Sequence, residues 1–474
     1  AVCTHFLVGV DGVTVARSEA ARREHAAGEA YDNQSTSISA GRQQYTFKDV
    51  NYMTLNTGLR GISNSDGNSA YSLFSVFGRA NYTYADKYMV EAVVRRDGSS
   101  RFGTEKYGIF PAFSVGWRMT EEAFMASTKQ WLNELKLRAG WGAVGNDQMG
   151  NYNSYTQFAY SEGSASYGMS GANNAFSNTG FYQSTFGNTD VKWEATTTTN
   201  LGIDANLFNH WTLVFDVWQR KTSDMLYQKQ LPLVLGTATR PSINIGEMKN
   251  TGFDVELGYS NTGLNGDLYY SADFVFSHYK NELTKLTDVE SDFYQGSGYR
   301  EKYYTRTQTG HAFPEFFGYI VEGIFQSDEE AAAWAPAFGA NGTYNKAGHF
   351  KYRDVSGPNG TPDNVIDAYD RTYIGSPHPD FTAGLSLNFG YKGFSVMTTL
   401  YASVGNELVN YVSRFIDYTQ FASGKSTRRL YESWGSPYLA NNADATMPKI
   451  YANDTPHQEP STEFLEDGSF LRMK

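Results

Sequence analysis

Ser72-Leu73-Phe74-Ser75-Val76-Phe77-Gly78-Arg79-Ala80-Asn81-Tyr82-Thr83-Tyr84 repeats with a period of two. One parity reads Phe74, Val76, Gly78, Ala80, Tyr82 and Tyr84, and the other includes Ser75, Arg79, Asn81 and Thr83. An extended strand built from this stretch has one apolar, aromatic face and one polar face. After the short turn at Ala85-Asp86, Tyr88, Val90, Ala92 and Val94 alternate with Lys87, Glu91 and Arg95. This predicts a hairpin with matched faces. A second hairpin is predicted from 196–207 and 211–221 around Phe208-Asn209-His210, with Leu201, Ile203, Ala205 and Leu207 opposed to Asn200, Asp204 and Asn206. Strands of the same kind are expected at 110–119, 135–141, 252–259, 268–276, 381–389 and 394–401.

Composition agrees with an all-β chain. In 474 residues the hydrophobic share is 40% and the charged share 19%, while Tyr (34), Phe (31) and Gly (46) are abundant, residues that favour strands, turns and wet aromatic surfaces. The chain has no apolar run of about 18 residues, which excludes a membrane-crossing helix. A membrane barrel stays open, because its strands need only every second residue to be apolar. A net charge of -11 argues against nucleic acid as a partner. Cys3 is the only cysteine, so there is no internal disulfide, and no Cys/His set has zinc spacing.

Alternation alone also fits a soluble sandwich with its apolar face against a second sheet, and a soluble or surface adhesive β-protein is the rival of another class. Three features favour lipid. Very short connections (85–86, 208–210, 391–393) alternate with very long ones (142–192, 277–318), as in outer-membrane barrels. Aromatics gather beside the short turns: Tyr82, Tyr84 and Tyr88 at one, Trp211 at another, Tyr391 and Phe394 at a third. The polar parity also carries Arg79, Glu91, Arg95, Lys136, Arg138, Asp204 and Asp216 deep within strands, which a wet lumen tolerates and a dry core does not. Helix is minor: Ser327 caps a short acidic-started helix running to Trp334, and 427–434 forms another.

Several segments, in order along the chain, resemble the barrel region of SusC/RagA-type TonB-dependent outer-membrane transporters of Bacteroidota. They are RRDGSSRFG at 95–103, PAFSVGWR at 111–118, LKLRAGWG at 135–142 with Gly145-Asn146, WEATT at 193–197, NIGEMKNTG at 244–252, DRTYIGSP at 370–377 and DGSFLR at 467–472. The resemblance implies a partial transmembrane antiparallel β-barrel of the 22-stranded class that encloses a plugged lumen. Residues 1–474 then form one receptor-like barrel domain in the cell outer membrane, read as cut at both ends and without its plug. Roughly two-thirds of a barrel cannot close alone and would expose its edge strands. The implied function is uptake of a nutrient, a glycan or an oligopeptide, with a SusD-like surface lipoprotein and with TonB acting through an N-terminal segment. A siderophore or metal-chelate receptor of the same class is the alternative.

Catalytic motifs are not apparent. Gly424-Lys425-Ser426 lacks the first glycine of a phosphate loop, there is no H-E-x-x-H, and no G-x-S-x-G elbow, so no enzyme activity and no cofactor are expected. The stretch 354–370, with Asp354, Asp363, Asp367 and Asp370, resembles the family's D-V-N-G-D-G-x-I-D-x-x-D loop, which looks like half of a calcium hand. It implies a structural calcium ion held by those four carboxylates. About five extra residues precede Asp363, and Asn364 stands where the bend glycine would be. The competing reading is an acidic turn closed by its own Asx hydrogen bonds. The aromatic-rich loops 152–182 and 293–304 are the expected places for contact with sugar or peptide.

Overall fold

The computed structural model describes residues 2–10, 21–45, 58–160, 165–168, 177–228, 238–263, 266–287, 293–296, 302–339, 342–418, 424–451 and 456–474. Two compact units emerge, one of Ala1–Asp204 with Trp218–Glu247 and one of Ala205–Val217 with Met248–Lys474. Among the described residues no helix is long and apolar enough to cross a membrane.

In the first unit six strands follow one another: β1 (Val2–Val10), β2 (Ala21–Tyr45), β3 (Gly58–Tyr84), β4 (Tyr88–Ser99), β5 (Tyr107–Arg118) and β6 (Leu132–Asn146). Each pairs antiparallel with the next. The register stacks like with like. Ala80, Ala92, Phe113 and Trp141 form one cross-strand row, and Tyr82, Val90, Val115 and Ala139 the row beside it. On the other face Asn81, Glu91, Ser114 and Gly140 stand opposite one another. The apolar face is the uncovered one: Phe74 is 51% exposed, Phe113 49% and Ile109 64%, whereas Ser75 on the polar face is 5% exposed. Such an inverted sheet is unfavourable in water and suited to hydrocarbon, where apolar side chains lose nothing by facing outward.

Strands β7 (Glu194–Leu207), β8 (Trp211–Gln228) and β9 (Ser242–Gly263) follow. The second unit holds β10 (Leu268–Lys285), β11 (Phe381–Tyr391), β12 (Phe394–Val404) and β13 (Phe470–Met473), antiparallel in that order. Here too one face is apolar and exposed, with Phe274, Leu387, Phe389 and Val396. The opposite face is polar, with Asn388 donating to Ser271 Oγ at 3.1 Å. The strands expected from alternation are all longer than the pattern suggested, because their ends run past the apolar band into loop regions where the pattern stops.

The short turns share one geometry. Ala85 and Asp86 have φ of 49° and 54°, Phe208 and Asn209 53° and 60°, and Lys392 and Gly393 44° and 87°. Lys87 N donates to Tyr84 O at 3.0 Å, and His210 N to Leu207 O at 3.1 Å. Two successive left-handed residues make the type I′ turn whose twist matches that of the flanking strands. At Ala85 and Phe208 that twist outweighs a steric cost of about 1–2 kcal/mol per residue. The aromatics beside these turns are exposed: Tyr84 stacks on Tyr88 with centroids 6.4 Å apart, and Trp211 lies 4.6 Å from Tyr259.

Between β10 and β11, and between β12 and β13, the chain builds a loop domain. It contains a four-stranded sheet (Phe293–Gln295, Thr305–Gln308, Glu315–Gly318, Thr372–Gly375). Its core is Tyr319, Ile324, Phe350, Tyr352 and Ile366, covered by Val321, Phe338, Trp434 and Ala445. Both expected helices are present, α1 (Asp328–Ala333) and, after the short α2 (Ser413–Ile416), α3 (Arg428–Glu432). Ser327 Oγ accepts from Glu330 N at 3.1 Å, the cap that the sequence indicated.

Candidate functional site

On the polar face of the first unit, β3 to β7 enclose a trough of about 980 Å³ lined by Arg79, Asn81, Glu91, Ser114, Lys136 and Arg138, among others. Its depth comes from small residues: a Cβ on Gly140 would sit 2.4 Å from Asn200 Oδ1. Charges inside it are mostly paired. Arg79 Nη2 lies 2.9 Å from Glu91 Oε2. Arg138 holds Asp204 in a fork, with Nε to Oδ2 at 2.8 Å and Nη2 to Oδ1 at 2.7 Å. Fixed pairs of both signs give a hydrated wall that can hydrogen-bond a polar solute without trapping one charge sign. In the second unit a smaller cavity of about 270 Å³ is lined by Asp216, Asp254, Glu256 and Ser277, among others.

Motifs far apart in sequence meet at the loop end of the first unit. Phe102 is fully buried with Met149 and Val191 against Trp193 and Leu226. Arg101 pairs with Asp147 at 3.2 Å and lies 4.0 Å over the Tyr71 ring. Trp193 Nε1 donates to Lys106 O at 3.0 Å, Glu194 Oε2 accepts from Leu226 N at 3.0 Å, and Asn244 Nδ2 donates to Asp224 O at 2.8 Å. Side chains from 95–103, 146–147, 193–194 and 244 thus clamp the loop bases. Gly103 is required there, since a Cβ would meet Thr189 O at 2.6 Å.

The four aspartates lie in one loop and face its own backbone. Asp354 Oδ2 accepts from Asn364 N (2.6 Å), Asp363 Oδ1 from Val365 N (3.0 Å) and Asp367 Oδ1 from Tyr369 N (2.8 Å). Asp370, fully buried, accepts from Val355 N (2.7 Å), Ser356 N (3.2 Å) and Asp367 N (2.8 Å). Asn364 takes the left-handed bend, with φ of 65°. Among the described residues no three His, Cys, Asp or Glu are grouped as a metal ion would need. Of the aromatic loops, Tyr152, Tyr155, Phe158, Tyr160 and Phe181 are exposed, as are Phe293 and Tyr303; residues 161–164, 169–176 and 297–301 lie outside the described residues.

Residues 14–406 match the family model "TonB dependent receptor-like, beta-barrel". The chain belongs to that family. Members of this TonB-dependent receptor family are outer-membrane β-barrels, and the exposed apolar face described above is the face such a barrel turns to lipid. The chain is 31% identical over 450 residues to TonB-dependent receptor P3 of Formosa agariphila, covering 93% of this chain and 42% of that protein. It is 28% identical over 424 residues to TonB-dependent receptor SusC of Bacteroides thetaiotaomicron, covering 85% and 37%. The solved structure of the RagAB peptide transporter shares the fold, with a TM-score of 0.73 at 24% identity, covering 99% of this chain and 47% of that one. The chain spans about two-fifths of the length of the curated relatives it matches.

Proposed function

We propose that this chain supplies lumen wall and outer loops to a TonB-dependent importer that carries a nutrient, a glycan or an oligopeptide, across the outer membrane. The observation that carries the reading is the division of faces: an uncovered apolar face, and behind it a trough of paired charges from Arg79 and Glu91 to Arg138 and Asp204. A solute crossing beside that wall exchanges water for hydroxyl, amide and charged partners. The loop domain and aromatic loops hold the cargo on the outside under a SusD-like lipoprotein, and TonB supplies the work. The relatives named SusC and RagAB support this division of labour, the latter through its description as a peptide transporter.

The test is uptake by cells carrying or lacking the full-length gene, using labelled oligosaccharide and oligopeptide pools. Affinity purification of the tagged protein from outer membrane runs in parallel. Loss of uptake of one pool, repeated when TonB is removed, and co-purification of a surface lipoprotein are expected. Unchanged uptake of both pools would overturn the importer reading, and purification without a lipoprotein would overturn the partner.

A further inference from the structure

One face of the four-stranded loop sheet is built from aromatic rings and arginines. The register places Phe293, Arg306, Phe317 and Tyr373 on the same side. The Arg306 guanidinium lies between two rings, 3.6 Å from the centroid of Phe293 and 4.2 Å from that of Phe317. Arg371 approaches the same Phe317 ring at 5.6 Å and donates from Nη2 to Tyr303 O at 3.0 Å. Both side chains are half-buried, and neither has a carboxylate partner among the described residues. The Nε atoms of both are buried and without an acceptor.

Neighbouring acids are committed elsewhere. Glu315, opposite Arg306 in the ladder, accepts from His311 Nδ1 through Oε2 at 3.0 Å, and Glu459 pairs with Lys302. Two adjacent guanidiniums without a counter-ion are costly to keep half-buried, the more so beside each other. Burial, with the neighbouring charge of Arg371, holds the Arg306 guanidinium below its ordinary pKa. Stacking occupies only the faces of a guanidinium and leaves its in-plane N–H groups directed at the edge. At that edge Phe293 is 46% exposed, and neither arginine side chain is fully covered. In-plane N–H pairs match the two oxygens of a carboxylate.

We propose that Arg306 and Arg371, held on the Phe293–Phe317 shelf, form a binding site for a carboxylate group of the ligand. The site selects a cargo that carries a negative charge; it rests on the importer reading for the source of that ligand, while its binding test does not. A carboxylate here can come from an acidic oligopeptide or from a uronic-acid oligosaccharide.

Calorimetric titration of the detergent-solubilised full-length protein separates these. The probes are a glutamate-rich hexapeptide against its side-chain amide counterpart, and an oligogalacturonate against a neutral oligosaccharide of equal length. One acidic probe should bind about tenfold more tightly than its neutral counterpart, with the gap shrinking in high salt, and which one does identifies the source. Arg306→Gln and Arg371→Gln should each narrow the gap. Arg306→Lys, which keeps the charge but not the fork, should recover part of it. Arg353→Gln, whose parent pairs with Glu322 at 2.6 Å, should leave it intact. Heat-modifiable migration checks that each variant folds. Absence of a gap for both probe pairs, or a gap that survives in the folded double Gln variant, overturns the site. Charge-selective binding by a protein whose deletion leaves uptake unchanged would overturn the importer reading and keep the site.

Discussion

Phe113→Arg should destabilise the wall far more than Ser114→Arg, one residue along the same strand. From Tyr88 to Arg96, β4 carries its apolar face between an aromatic row (Tyr88 opposite Trp117) and a charged one (Arg96 opposite Ile109). At about 3.4 Å per residue this is about 27 Å along the strand, or about 20 Å of membrane depth at the usual tilt of about 40°. Phe113, opposite Ala92, lies midway, about 10 Å from either boundary. An arginine there cannot reach water along a short path and costs about 2–4 kcal/mol, a drop of about 30- to 1,000-fold in the folded ratio. Ser114 faces the trough opposite Glu91, so an arginine at that position gains a carboxylate neighbour and should change stability by less than about 1 kcal/mol. Urea titration of the full-length protein in liposomes, followed by tryptophan fluorescence and heat-modifiable migration, measures both. Equal midpoints for the two variants, or parental stability of Phe113→Arg, would refute the assignment of faces.

Arg138→Met leaves Asp204 without its fork in a trough where the two side chains are 27% and 30% exposed. Partial solvation limits the cost to about 1–2 kcal/mol, and adding Asp204→Asn should return most of it in the same urea assay. Burial, with Asp417 and Glu432 nearby, raises Glu463 from 4.5 to about 7, against the pull of Arg428 at 3.6 Å. Between those values the folded state keeps a proton that the unfolded chain has lost, so this stabilising contribution is complete below pH 4.5 and is lost as pH rises to about 7. Glu463→Gln should therefore gain about 3 kcal/mol on the parent between pH 4.5 and 8; a pH-independent difference would contradict the burial. His349, held near 3 by burial beside His457, Lys346 and Lys449, acts in the other direction, losing stability as pH falls below 6.5, and cancels in that comparison. In the loop 354–370, calcium and chelator should give the same rate of proteolysis, since the carboxylates face backbone N–H groups. Calcium-dependent protection that Asp363→Ala abolishes would instead show a bound cation.

Much of the wall is legible in the sequence because a strand's two faces are set by parity, a property of nearest neighbours. Phe74 to Tyr84, Tyr88 to Val94 and Leu201 to Ile203 all present the expected side outward, and the short turns fall where they were expected. The cap at Ser327 is local in the same sense. Strand β2 was not legible: Ala21–Tyr45 is small and polar on both parities, and its pairing with β3 is what makes it a strand. The resemblance motifs were visible as strings, yet nothing in them indicated that Arg101, Trp193, Glu194 and Asn244 build the same unit's loop clamp, because their contacts span 46 to 87 positions in cases such as Arg101 with Asp147 and Trp193 with Lys106.

By itself, then, the sequence determined the all-β character, the two faces of each strand, the positions of the I′ hairpins and the family. All of these follow from short-range alternation, turn chemistry and ordered motifs. Tertiary structure alone decided which charges pair across the trough, that the four aspartates bind their own backbone, and that Phe293, Arg306, Phe317 and Arg371 share one shelf. Each of those depends on where distant segments come to rest. The reason is range: parity is written into every dipeptide, whereas a guanidinium's partners are chosen by sheet register and loop packing, which no local pattern encodes.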